Sequence, residues 1–224
     1  EGAHRRSAGW QPARSGGRGG AQQRTMGWNV AAGPNGRDTS QRPLGGCTRH
    51  AVPSPTMALY ETADSAADFF SSLGRVDHIA FDTEGATLYR YYDRVWLMQV
   101  ATRDRSAILD PIGTGAPPAL AALLASPRTE VVLHDAVNDL RTVQRNFGWR
   151  VTRIFDTRIA AQFLGVTSFG LAALLQDRLG IKVDKKLQRT DWSRRPLSAA
   201  MLDYAAQDTA HLLTLRDLLC ADLQ

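Results

Sequence analysis

Four carboxylates and one phenol stand where a packed sheet and its helices have no evident use for them. Asp82 and Glu84 close a run of apolar residues, Ile79-Ala80-Phe81-Asp82-Thr83-Glu84. In an extended chain residues i and i+2 point to one face, so the two acids project side by side. Asp139 lies one turn inside a helix that follows a strand, where an acid also suits the helix dipole. Tyr204 and Asp208 are four apart on a helix and share a face. Taken singly, each is ordinary: a strand entering a polar turn, a helix start, a surface pair. Brought together they are not. At about 4 Å and an effective dielectric near 20, each unneutralised pair repels by roughly 4 kcal/mol. Such a cluster protonates, separates or binds cations, and all-oxygen ligands favour Mg²⁺ or Mn²⁺. Two such ions about 3.5–4 Å apart activate a water and stabilise the departing oxygen of a phosphodiester. The phenol of Tyr204, with an ordinary pKa near 10, would orient that water rather than act as a strong base.

The elements that must position these groups follow from periodicity. An amphipathic helix is expected from Asp64 to Leu73 and a strand from Val76 to Phe81. Val95–Ala101 and Ser106–Leu109 read as two more strands joined by the turn Thr102-Arg103-Asp104-Arg105, an antiparallel meander. Pro117 and Pro118 open a helix through Ala125, since proline is tolerated in a first turn. Strand Glu130–His134, a helix from Ala136 ended by Gly148, and strand Val151–Phe155 come next. Helices near Thr157–Leu164 and Leu171–Leu179, and one from Ser198 to about Leu219, complete the chain. The expected fold is α/β: a mixed five-stranded sheet, three strands antiparallel and the rest parallel, flanked by helices.

Charge divides the chain. Of 27 basic and 22 acidic residues, residues 1–57 hold eight arginines and two acids, so the other 167 carry 19 and 20. That basic segment also holds 11 of the 19 glycines and five of the ten prolines, a composition that cannot offset its chain entropy, so disorder is expected. It reads as a nucleic-acid-binding arm, a transit peptide, or sequence upstream of the true start at Met57, the last being favoured. No run approaches the roughly 18–20 apolar residues that cross a bilayer. Cys47 and Cys220 are too few for a disulfide framework or zinc cluster, and a reducing, cytoplasmic setting is expected.

Asp82-Thr83-Glu84, then Asp139-Leu140 five residues after His134, then Tyr204-x-x-x-Asp208 resemble the three motifs of DEDD-type 3′→5′ exonucleases of the tyrosine subgroup. The resemblance covers nearly all of residues 58–224. Within that superfamily, two stretches are similar to ribonuclease D: Tyr91 to Thr102, and Lys186 to Leu197. The resemblance implies a ribonuclease-H-like fold and release of mononucleotides from an RNA 3′ end, as in trimming of tRNA precursors. Carried over, Asp82 bridges two metals, Glu84 and Asp208 complete one site, Asp139 holds the other, and Tyr204 orients water. Asp156 is expected to cap a helix, and His134 to be a hydrogen-bonded strand-end residue. Gly85 and Asp93 depart from the family, which more often has a larger residue and a proline there. The helical domains that often follow in ribonuclease D are absent from the sequence, so the nuclease body is expected to bind substrate itself.

For that binding, Lys182, Lys185, Lys186, Arg189, Arg194 and Arg195 fall within 14 positions around Trp192. Lys185, Lys186, Arg189, Arg194 and Arg195 suit phosphates and Trp192 a stacked base on a single strand; a solvated loop with Trp192 in the core is the alternative. Tyr89, Tyr91 and Tyr92 are ambiguous between strand packing and base stacking. A DNA 3′→5′ exonuclease of Werner or proofreading type, and a non-catalytic RNA-binding protein, are the competing functions. No feature calls for an obligate protein partner.

Overall fold

The computed structural model describes residues 56–224, apart from 93 and 185. The expected disordered tail therefore lies outside the described residues up to 55, as does Lys185.

Strand β1 (Thr56–Tyr60) precedes helix α1 (Ala63–Ser71), whose N-cap Thr62 accepts a hydrogen bond from the Ser65 N–H at 3.2 Å. Strands β2 (His78–Glu84), β3 (Leu97–Ala101) and β4 (Arg105–Leu109) form the meander. A short helix α2 (Pro111–Thr114), helix α3 (Pro118–Ala125), β5 (Glu130–Leu133) and α4 (Val137–Phe147) follow. The left-handed Gly148, φ 71, ends α4. Then come β6 (Ile154–Asp156), α5 (Thr157–Phe163), α6 (Leu171–Leu179), α7 (Ala199–Ala210) and α8 (Leu212–Asp222).

The sheet has six strands, not five, in the order β1-β4-β3-β2-β5-β6. The unforeseen strand is β1, which pairs parallel with β4 and takes Thr56 and Met57 from the segment assigned to the tail. It is short, follows Pro53 and Pro55, and is only half-buried over 57–60, so it carries little of the apolar periodicity that marks the inner strands. A second difference is at the end of the chain. The single long helix is two, broken at His211, whose ring is buried. The break lets α7 lie across β2, β3 and β4 while α8 turns against β5, α5 and α6, a course no straight helix follows.

Alternation along β2 is what positions the site. Ile79 and Phe81 enter the apolar layer with α1, α3 and α4, whereas Ala80 packs beneath Leu212 and Leu213 of α8. Asp82 and Glu84 share the parity of Ala80 and so face the α7 side. At the far edge of the sheet, a Cβ at Gly113 would stand 1.9 Å from the Glu61 carbonyl oxygen. The variant Gly113→Ala is expected to cost about 1–3 kcal/mol. Urea unfolding measures this, and an unchanged midpoint and slope would show that α2 can shift away freely.

Candidate active site

Asp82 and Glu84 come from the central strand, Asp208 from α7 above it, and one carboxylate oxygen of each lies within 4.8 Å of the others. Asp139 belongs to α4 on the other face of the sheet and reaches the cluster over the end of β2. Thr83 holds it there: the backbone N–H donates to Asp139 Oδ1 at 3.1 Å and Thr83 Oγ1 donates to the same oxygen at 2.5 Å. All four acids and Tyr204 line one open cleft of about 500 Å³.

The electrostatics are those of crowded, desolvated carboxylates. Burial, then the charges of Asp139, Asp208 and Glu84, holds Asp82 well above the ordinary carboxylate range. Burial, then Asp208 and Asp139, pushes Glu84 up to about 9. Asp208 rises to about 7 through burial and Asp139. Asp139 rises only to about 6, because the hydrogen bonds from Thr83 oppose its burial. Asp82 and Glu84 in this state hold protons at neutral pH that a cation would replace. Oxygen-only ligands at this spacing fit a hard divalent ion rather than zinc or copper.

Tyr204 stands one helical turn before Asp208 and is 8% exposed. Burial, then Asp208, Glu84 and Asp82, raises its phenol further above its ordinary value, so it remains neutral and able to donate a hydrogen bond. Behind it lies Trp192, ring centroids 6.0 Å apart. This corrects one expectation. Trp192 is 1% exposed, packed with Leu97, Ile108 and Ala205, and presents no face to a base. Its burial follows from its place under α7, which the local basic sequence conceals.

Arg195 is corrected likewise. Its guanidinium is spent inside the fold, with Nε on Asp110 Oδ2 at 2.5 Å and further bonds to the carbonyls of Trp192, Arg194 and Trp96. Burial works against the Asp110 charge, but the hydrogen bonds from Arg195 and the Ile112 N–H outweigh it and lower its pKa. Lys186, Arg189 and Arg194 are exposed, Lys186 beside Asp184 at 3.0 Å.

Asp156 caps α5 as expected and does more. Its Oδ1 accepts from the N–H groups of Asp135, Arg158 and Ile159, and its Oδ2 from Ala136. His134 Nδ1 shares a hydrogen with Thr157 Oγ1 at 2.9 Å. Sequence reasoning passes over Thr83, Asn138, Arg158 and Gln188, which also line the cleft. Arg158 pairs with Asp135 and lies 4.9 Å from the Phe169 ring centroid. One local oddity marks it: a cation in the first turn of a helix runs against the helix dipole.

Residues 57–224 match a family model described as 3′-5′ exonuclease. Ribonuclease D of Haemophilus influenzae is 36% identical over 146 residues, covering 65% of this chain and 37% of that protein. The crystal structure of Escherichia coli RNase D, described as an exoribonuclease involved in structured RNA processing, has a TM-score of 0.70. It is 31% identical and covers 75% of this chain and 45% of that one. Brucella melitensis NrnC with bound Mg²⁺ is 25% identical, with a TM-score of 0.61, 75% of this chain and 79% of that one. The chain spans less than half the length of these ribonuclease D relatives. The matched segment nonetheless takes in the whole sheet apart from Thr56 and every described helix, so the chain belongs to the 3′-5′ exonuclease family, as a ribonuclease D-like member with a ribonuclease-H-like fold.

Proposed function

We propose that this chain is a metal-dependent 3′→5′ exoribonuclease that removes nucleotides from single-stranded RNA 3′ ends, with residues 56–224 as its catalytic domain. The observation that carries the proposal is the convergence of Asp82, Glu84 and Asp208 in a cleft shared with Asp139 and Tyr204. Asp82, Glu84 and Asp208 would hold one divalent cation, and Asp82 with Asp139 a second, Mg²⁺ or Mn²⁺. Bound there, such ions supply Lewis-acid activation of water and neutralise the departing oxygen. Tyr204 keeps its proton and orients the attacking water. Thr83 fixes Asp139 against the repulsion of the other acids. A water oxygen bonds to phosphorus, the bond to the ribose 3′ oxygen breaks, and that oxygen takes a proton. A nucleoside 5′-monophosphate leaves.

The RNA relatives favour RNA over DNA, and trimming of tRNA precursors in the cytoplasm is the setting we assign. Among the described residues Cys220 forms no disulfide. Among the described residues no helix is long and apolar enough to cross a membrane.

The test uses RNA and DNA strands labelled at either end, with Mg²⁺, Mn²⁺ or a chelator. Metal-dependent shortening of RNA from the 3′ end, with mononucleotide product, is expected. No shortening with either ion defeats the proposal, and faster attack on DNA transfers it to the DNA-exonuclease reading.

Substrate approach is assigned to the loop before α7. Replacing Lys185, Lys186 and Arg189 together by alanine is expected to weaken RNA binding. It should also reduce the slope of log affinity against log salt by about 2, at ~0.7 for each phosphate no longer neutralised. Fluorescence anisotropy over a salt series checks this, and an unaltered slope counts against the assignment.

A further inference from the structure

The connection from β2 to β3 exposes aromatic surface that the fold does not need. Tyr91 is 95% exposed, Tyr92 79% and Leu88 71%. The two tyrosine rings meet edge to face, centroids 5.1 Å apart and planes at 88°. Neither ring packs into the sheet, which removes strand packing as the role of Tyr91 and Tyr92.

The loop that carries them is held at several points. The Tyr89 hydroxyl donates to the Arg189 carbonyl at 2.8 Å, and Arg90 Nε donates to Ser193 Oγ at 2.6 Å. The Trp96 N–H returns to the Glu84 carbonyl at 2.8 Å, and the Val95 N–H to Asn146 Oδ1 at 3.2 Å. The rings are thus presented outward from a tethered shelf. That shelf begins at the cleft, which Gly85 and Thr87 line, and its bonds join it to the segment containing Gln188, which lines the cleft too.

We propose that Tyr91 and Tyr92 form a base-stacking platform for single-stranded RNA on the 5′ side of the bond being cut. The proposal rests on the function proposed above. A strand whose 3′ end lies among the acids leaves the cleft across this shelf. The shelf and the segment tethered to it carry the exposed Arg94, Arg189 and Arg194, and Arg90 is half exposed beside Asp191. A polyanion that also carries flat apolar faces satisfies both halves of this surface, whereas an apolar peptide satisfies only the rings. Stacking accepts any base, as a processive or distributive trimming activity requires. The platform supplies the role that the buried Trp192 cannot.

The test compares the double variants Tyr91→Ala/Tyr92→Ala and Tyr91→Phe/Tyr92→Phe with wild type, on a decaribonucleotide and on a diribonucleotide too short to span the shelf. The alanine pair is expected to raise the KM for the longer substrate by about thirtyfold relative to the shorter. That corresponds to the low end of base–aromatic stacking on two rings. The phenylalanine pair keeps the rings and should restore the wild-type ratio, and the salt slope of binding should not follow the loss. Thermal melting confirms that both variants fold. A ratio unmoved by alanine, in an enzyme that still shortens RNA, overturns the platform and leaves the function standing. Equal losses on both substrates also overturn it, as does tight capture of an apolar peptide by the shelf in preference to RNA. Wild-type protein that shortens no RNA removes the function itself, and the platform with it.

Discussion

Asp82→Asn protein should lose at least about a thousandfold in turnover and, in the absence of divalent ions, melt at a higher temperature than wild type. The first effect follows if Asp82 faces both cations: removing its charge forfeits several kcal/mol of transition-state stabilisation, and about 4 kcal/mol is a thousandfold. The second follows from the site's own electrostatics. Asp82 is raised by burial and then by Asp139, Asp208 and Glu84, so its charge opposes folding when nothing neutralises it. Asparagine keeps the shape and removes the charge. Each kcal/mol relieved raises the melting temperature by about 2–4 °C in a domain of this size.

The sign can be checked through pH. Glu84 rises in the fold from 4.5 to about 9. A carboxyl raised on folding favours the native state most when protonated, below its unfolded value, and that advantage is lost as pH climbs towards the folded value. Metal-free wild type should therefore soften between about pH 5 and 9, added Mg²⁺ should protect it most at the alkaline end, and Asp82→Asn should flatten the curve. Melting curves across that range, with chelator and with Mg²⁺, measure all three. A mutant that is inactive but no more stable without metal would mean that the acids stand farther apart in solution than in the fold described.

Trp192→Ala should cost about 3–5 kcal/mol of stability, the range for deleting a buried tryptophan. The residue sits under α7 against Tyr204, Leu97 and Ile108, so its removal opens a cavity behind the phenol. Turnover should fall more than affinity for RNA, because Tyr204 loses the wall that sets its ring. Trp192→Phe should recover most of both. Urea unfolding and steady-state kinetics separate the effects. A loss below about 1 kcal/mol together with weakened binding would return Trp192 to the substrate.

Local spacing makes much of this legible and leaves identifiable gaps. The acids of β2 and the Tyr204/Asp208 pair are separated by two and four residues, and strand and helix periods translate directly into shared faces. Asp139 is a different case. Its approach over the strand end depends on the bonds from Thr83, a contact across 56 positions that no periodicity encodes. Trp192 and Arg195 mislead because a basic loop looks solvated until its partners, Tyr204 and Asp110, are known. Strand β1 escapes notice because an edge strand needs little apolar content once β4 supplies its hydrogen bonds. The kink at His211 is hidden because the apolar pattern of α7 and α8 is continuous, while the surface they cover changes direction.

The parity of β2 has a consequence for how the protein is assembled. The strand is paired on both sides, with β3 and with β5, so its facing is set twice. A slip of one residue would drive Asp82 and Glu84 into the layer occupied by Ile79 and Phe81 and leave two carboxylates among apolar side chains. The acids thus act as a proofreading mark during folding: an out-of-step sheet is penalised before any ligand arrives. Metal cannot rescue such a sheet, because only the correctly stepped strand gathers its donors on one side. Competence to bind metal and correctness of the sheet are one condition.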